Sequence, residues 1–320
     1  MKRLFIFLFI LVQLGCDNQS EQRISGGIFG TTYSIIYYGD TNYSEAFDSI
    51  FEAINNSMST YIPTSIISQL NQTESLEIDA HFKTVFLASS AIFEDTEGAF
   101  DPTIGAVVNA WDFGPKGTID QVDSLKIESL MQSVGLDKVQ INRTKISKSK
   151  ATKLDFNAIA KGYGVDAIGL FLESKNIQNY LVEIGGEIRC KGINIRKGTP
   201  WTVGVQNPNL NSELQFVDTV ILSDESMATS GTYRKFKIDA QGRRYTHIID
   251  TKTGFPSRTN ILSVSVIAQD CMTADAYATA LQTMPLNRLS DFLQNRPHLK
   301  AFVVYEDDSK TLAFKTFNGF

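Results

Sequence analysis

Apolar residues along the chain recur at two periods. Phe47, Ile50, Phe51 and Ile54 fall at three- and four-residue spacing within Ser44–Ser57, the period of an amphipathic helix. His81–Glu97 reads as a second helix, closed by Gly98, and a third is expected from a cap at Asp123 to Gly135. Ala160–Lys175, Cys271–Met284 and Leu286–Asn295 complete the helices. Phe29–Tyr38, Tyr180–Ile184, Trp201–Gln206, Val217–Leu222 and Leu262–Ala268 read as strands, with two more at the C-terminus. Phe236–Ile249, interrupted at Gln241-Gly242, reads as a hairpin. Two short β-prone runs follow Gly135, separated by the basic stretch Arg143–Lys153, which is expected to be a solvated hairpin rather than a binding patch. Strands and helices mix without strict alternation, so the fold class is α+β. No long linker and no internal repeat interrupts the chain after Ile28.

The start of the chain obeys a different logic. Met1-Lys2-Arg3 is basic, and Leu4–Leu14 is an apolar run containing one Gln. Eleven helical residues rise only about 16 Å, too short for a bilayer core of about 30 Å. Residues 1–15 therefore read as a signal peptide. Leu14-Gly15-Cys16 resembles the lipobox of bacterial lipoproteins, although Gln13 departs from the usual apolar residue. On that reading Cys16 is lipidated, residues 16–25 form a tether, and Asp17 resembles a signal for retention at the inner membrane, on its periplasmic side. Ordinary secretion, with Cys16 incidental, is the competing reading.

Length and charge narrow the field. The 320 residues allow two domains or one large one. Net charge is −5, which argues against nucleic acid as a partner. Without Lys2 and Arg3 the chain keeps 28 basic against 35 acidic residues, so attachment to an anionic membrane would have to be covalent. Three cysteines are too few for a disulfide scaffold, though Cys190 and Cys271 could pair in an oxidising compartment. His81, His247 and His298 are the whole histidine complement, which excludes a His-rich zinc site.

Five segments carry candidate chemistry. The loop from Gly98 to Gly105, through Ala99, Phe100 and Asp101, could bring backbone amides close to a ligand, or be a plain turn. In Leu154–Asp166, Lys161 falls at a helix start, where free N–H groups and an ammonium suit a phosphate. Gly185-Gly186, after an apolar strand and before Glu187, signals a bulge or close backbone approach. His247 ends a strand before a polar turn and is either a general base or a structural histidine. Asp275 and Thr279 are four apart, hence on one helical face; with alanines around them they suit a hard cation such as Mg²⁺, or else Asp275 belongs to a helix start. No Walker loop, CxxC pair or defensible Ser/His/Asp order is present.

Together these segments resemble the ApbE family, the FAD:protein FMN transferases. Phe29-Gly30-Thr31-Thr32, Met58–Pro63 with Ser65, Ser68 and Asn71, and Ala228-Thr229-Ser230-Gly231 extend the resemblance over nearly the whole chain after residue 25. It implies one α+β catalytic domain over 26–320 that requires Mg²⁺. Such an enzyme cleaves FAD, releases AMP, and attaches FMN through a phosphoester to a Thr or Ser of an acceptor protein. Acceptors in the family are subunits of membrane redox complexes, of the sodium-pumping NADH:quinone reductase or Rnf type. The resemblance implies Asp275, Thr279 and the carbonyl of Ala158 as metal ligands. It implies FAD contacts at Phe29, Tyr61, Ala99, Phe100, Asp101, Asp155 and Lys161, with Met in many members where this chain has Phe29. His247 would deprotonate the acceptor hydroxyl, Ile248 would line the flavin site, and Thr229-Ser230-Gly231 has no assigned role. Two rivals remain. With water as acceptor the protein is an FAD pyrophosphatase, against which an aromatic Tyr61 argues mildly; without catalysis it is a periplasmic flavin-binding lipoprotein.

Overall fold

The computed structural model describes residues 20–114, 124–209, 213–233, 236–238 and 244–320. Cys16 and its leader, the cap at Asp123 and the turn at Gln241-Gly242 lie outside the described residues.

Strands β1 (Glu21–Ile28) and β2 (Thr31–Tyr38) form a hairpin turned at Phe29 and Gly30, with φ of 51° and 73°. Two left-handed residues in a row suit the right-handed twist of a two-residue hairpin. The polar stretch expected to be a tether thus enters the sheet at Glu21. It reads as polar because β1 is an edge strand with little buried surface.

Helix α1 (Ser44–Met58) buries Phe47, Phe51 and Ile54, as the spacing predicts. The short helix α2 (Ile66–Leu70) is capped by the Ser65 hydroxyl, which accepts the Ser68 N–H. Strand β3 (Ser75–Glu77) leads to α3 (Ala80–Asp95), whose cap Asp79 accepts the Phe82 N–H. Helices α4 (Gly105–Ala110) and α5 (Ser124–Met131) follow. Next come β4 (Val139–Asn142) and β5 (Lys145–Lys148), a hairpin that turns at Arg143. The expected solvation holds for that turn and fails for Lys148. Its ammonium is buried on the carbonyls of Thr73 and Ser149, and burial pulls its pKa down to about 8.

The second half supplies α6 (Ala160–Ser174), β6 (Tyr180–Ile184) and β7 (Glu187–Lys191). Three strands, β8 (Ile193–Asn194), β9 (Thr199–Gln206) and β10 (Phe216–Leu222), make a small sheet. Then come β11 (Ser226–Gly231), the pair β12 (Phe236–Ile238) and β13 (Arg244–Thr246), and β14 (Ile261–Ala268). Helices α7 (Cys271–Thr283) and α8 (Leu286–Gln294) and strands β15 (Lys300–Glu306) and β16 (Leu312–Phe317) close the chain.

One antiparallel sheet organises the molecule, in the order β1-β2-β6-β7-β11-β14-β15-β16. On one face, α3, α7 and α8 bury Phe82, Ala278 and Leu289 against Val264, Val266 and Val303. Beside them α1 and α6 cover Ile35 and Val182. The small sheet covers the other face, where Trp201 and Val203 meet Met227 and Ile267. Strand β14 is buried on both faces, its Ser263 and Ser265 included. Cys190 belongs to the Trp201 side and Cys271 to the α6 side; both are buried free thiols, so the possible disulfide does not form.

Candidate active site

The centre of the site is the contact between α6 and α7. At Gly162 an added Cβ would lie 2.3 Å from the Cys271 carbonyl oxygen, so only glycine permits this approach. Closeness lets Asp275 of α7 reach across: its Oδ2 accepts the Gly162 N–H at 3.1 Å, satisfying one of the free amides at the α6 start. Asp275 is 5% exposed, and Thr279 follows one turn later on the same face.

Two carboxylates fix the start of α7. Asp270 caps it, accepting the Thr273 N–H at 2.8 Å. Asp166, from α6, accepts the N–H groups of Cys271 and Met272 at 2.9 and 2.8 Å and pairs with Arg189 at 2.8 Å. Burial pushes Asp166 up to about 6, against the pull of those donors. Arg189 continues to Glu173, which also receives Tyr180 and Lys191. Burial alone would raise Glu173, but these three donors hold it down to about 2 from 4.5. A depressed carboxyl stabilises the fold above its ordinary pKa, and that stability is lost as pH falls through the folded value. Replacing Glu173→Gln should therefore lower the melting temperature fully at neutral pH, less below about 4.5, and hardly at all near pH 2. Thermal melts across that range check it; a deficit independent of pH would refute the linkage.

Lys161, in the first turn of α6, projects between two carboxylates. Its ammonium is 2.6 Å from Glu187 Oε1 and 3.9 Å from Asp275 Oδ1. Burial works against its charge, but Asp275 and Glu187 together hold its pKa above the ordinary lysine range. Glu187 itself is 3% exposed; burial pushes its carboxyl up while Lys161 pulls it back. Glu187 opens β7 directly after Gly185-Gly186, whose φ values of 63° and 102° show that the turn needs left-handed residues.

Around this centre runs a cavity of about 310 Å³. Ala99, Phe100, Asp101, Asp155, Ala158, Lys161, His247, Ile248, Asp275 and Thr279 all line it, so the structure brings together most residues singled out in the sequence. Thr229, Ser230 and Gly231 of β11 line it as well. Asp101 is held by the Thr103 hydroxyl at 2.6 Å and N–H at 2.8 Å; burial nonetheless raises its carboxyl. Asp155 folds back on the Asn157 N–H at 2.7 Å, an Asx turn that presents Ala158. The His247 turn is tied to the first loop, since the Thr251 hydroxyl donates to the Gly98 carbonyl. The His247 ring stands 6.3 Å from that of Phe113.

Two of the residues expected to contact FAD do not line this cavity. Phe29 is absent from the cavity wall. Its ring packs edge-on against Phe51 at 5.7 Å and backs onto Gly164, where a Cβ would come within 2.6 Å of it. The residue supports α6 from behind, because the hairpin turn directs it into the core. Tyr61 is 57% exposed and lines an adjoining cavity of about 380 Å³ that shares Asp155 with the first. The motif around it is structural: the Ser65 and Ser68 hydroxyls donate to the Ser59 carbonyl, and Asn71 clamps both main-chain groups of Leu154. Sequence reasoning missed Glu187 as a site residue. Its only local signal was an acidic residue opening a strand after paired glycines.

The donors suit a hard cation. Asp275, Thr279 and Ala158 all line the cavity, and a carboxylate, a hydroxyl and a carbonyl are oxygen donors. Among the described residues no three His, Cys, Asp or Glu side chains cluster as a metal site. Phosphate oxygens of a ligand and water would supply the remaining oxygen donors for such a cation.

Comparison with known proteins gives a consistent answer. Residues 29–303 match the ApbE family. An FAD:protein FMN transferase of Vibrio cholerae is 35% identical over 324 residues, covering 97% of this chain and 96% of that protein. One from Haemophilus influenzae is 38% identical over 284 residues, 83% of this chain and 82% of that protein. The solved flavin transferase ApbE from Vibrio cholerae superposes with a TM-score of 0.85 at 32% identity, covering 94% of this chain and 98% of that one. With sequence relatives aligned almost end to end and a solved fold shared over nearly its full length, the chain belongs to the ApbE family.

Proposed function

We propose that this protein is a Mg²⁺-dependent FAD:protein FMN transferase. The observation that carries the reading is one cavity lined by Lys161, Asp275, Thr279, Ala158 and His247 together. A charged lysine in the first turn of a helix suits a pyrophosphate; the oxygen donors suit its counter-cation. Relatives that align nearly end to end bear the same activity in their names.

In the reaction, the Oγ of an acceptor Thr or Ser forms a bond to the FMN phosphorus. The bond from that phosphorus to the bridging oxygen breaks, and AMP departs with the electron pair. Mg²⁺, bound at Asp275, Thr279 and Ala158, would neutralise pyrophosphate charge and polarise the phosphorus. Lys161 holds the phosphates in line, since phosphoryl transfer depends mainly on positioning and electrostatics. His247 takes the hydroxyl proton. Asp101, Asp155 and Ile248 shape the remainder of the flavin nucleotide pocket.

His247→Ala is expected to bind FAD as the parent does and to transfer about 10²–10⁴-fold more slowly, the usual worth of a general base. FAD fluorescence titration beside single-turnover transfer separates the two; equal losses in binding and rate would make His247 structural.

The acceptor is read as a subunit of a membrane redox complex, NADH:quinone reductase or Rnf in type. The enzyme would sit on the periplasmic side of the inner membrane through a lipid on Cys16. Support for the anchor is the Leu14-Gly15-Cys16 sequence alone.

Hydrolysis is the second reading. Tyr61, expected to restrict water, lines the adjoining cavity and leaves the main one open. The deciding experiment is the intact mass of a Thr-containing acceptor peptide incubated with protein, FAD and Mg²⁺, against an EDTA control. An FMN-sized gain lost with EDTA supports transfer. FMN and AMP without peptide modification favour the pyrophosphatase, and FAD bound intact favours a flavin-binding protein.

A further inference from the structure

The proposed chemistry leaves Glu187 without a task. It is nonetheless the nearest charge to Lys161, at 2.6 Å, with Asp275 at 3.9 Å. Its second oxygen, Oε2, is buried with no hydrogen-bond partner among the described residues. A buried carboxylate oxygen left unpaired costs stability, so packing alone does not account for this residue. One ammonium is shared by two carboxylates, and one of those carboxylates, Asp275, is the side chain read above as the cation ligand. The ammonium and a divalent cation are therefore competitors for Asp275.

We propose that Glu187 is a positioning residue that holds Lys161 off Asp275 and so keeps the Asp275 carboxylate open to the divalent cation. The proposal rests on the reading of Asp275 as a cation ligand. A lysine ammonium is a compact charge on a flexible four-carbon stem and moves to the strongest counter-charge within reach. Without Glu187, that counter-charge is Asp275, and only about 1 Å of travel separates 3.9 Å from a direct charge-assisted hydrogen bond. An entering cation would then have to displace the ammonium before it could bind. With Glu187 present, Lys161 is retained beside the phosphates while the metal seat stays clear.

The test uses Mn²⁺ as the probe, titrated into the FAD-free protein with and without ADP and followed by water-proton relaxation. Glu187→Gln keeps the size and removes the charge. It should raise the Mn²⁺ dissociation constant by about tenfold, a modest fraction of the Coulomb attraction between such close charges. The double variant Glu187→Gln/Lys161→Gln should recover parental Mn²⁺ affinity, because the competitor is gone. Lys161→Gln alone should bind Mn²⁺ at least as tightly as the parent. Unchanged affinity in Glu187→Gln overturns the proposal. So does a double variant as weak as Glu187→Gln, which would mean that Glu187 contacts the cation itself. Asp275→Ala is the separate control: parental Mn²⁺ affinity there would defeat the ligand reading, whatever Glu187 does.

Discussion

Replacing Asp275→Ala should leave a folded protein that has lost at least about 10³-fold of its Mg²⁺-dependent transfer, the scale on which preorganised charge stabilisation acts. Asp275 contributes to the site in two ways at once. Its Oδ2 takes the Gly162 N–H at the start of α6, and its Oδ1 faces the Lys161 ammonium. The carboxylate is also the only charged member of the proposed cation ligands. The fold should survive for local reasons. Alanine is the best helix former, and α7 already buries alanines at 274, 276, 278 and 280. Lys161 keeps Glu187 as its counter-charge, so no buried ammonium is stranded. The lost hydrogen bond is worth about 1–3 kcal/mol. Transfer by mass spectrometry beside a thermal melt is the measurement. Full activity would remove Asp275 from the metal assignment, and a collapsed melt would make it a structural residue.

Gly162→Ala should be damaging in the opposite sense, through shape rather than charge. The new methyl would sit 2.3 Å from the Cys271 oxygen, 2.7 Å from its carbonyl carbon and 2.8 Å from Met272 Cα. All three are backbone atoms, which cannot rotate aside, so α6 and α7 must part. Overpacking of this kind costs about 1–3 kcal/mol or more. Parting the helices also pulls Gly162 N–H and Lys161 away from Asp275. Activity should therefore fall at temperatures well below the melt, where the protein is still fully folded. A Gly162→Ala protein with parental melting temperature and parental activity would mean that the two helices tolerate separation and that their closeness is incidental.

Sequence and structure agree where a local pattern carries the information. Helix α1 is legible from Phe47, Phe51 and Ile54, and α3 from its apolar spacing and closing glycine. Asp275 and Thr279 announce a shared face by their spacing alone. Shorter or less patterned pieces are not legible. Helix α2 has five residues and β3 three, below the length at which periodicity can be read. Strand β1 hides because an exposed edge strand needs no apolar alternation. The site splits along the same line. Motifs named its residues, but nothing local shows that the turn after β6 returns Glu187 to the start of α6. Phe29 and Tyr61 sit in family motifs, yet only the hairpin turn and the α2 region decide which way each faces.

The placement of the two tryptophans has an optical consequence. Trp201 of β9 is buried between the two sheets, away from the turn that follows His247. Trp111 donates its indole N–H to the Gly254 carbonyl at 2.7 Å and packs on Tyr245 and Phe255, within the turn that carries His247. A Trp201→Phe protein would thus emit from one intrinsic fluorophore, packed against the turn that follows His247. Its emission would follow flavin arrival and movement of the His247 turn in real time, without any attached label.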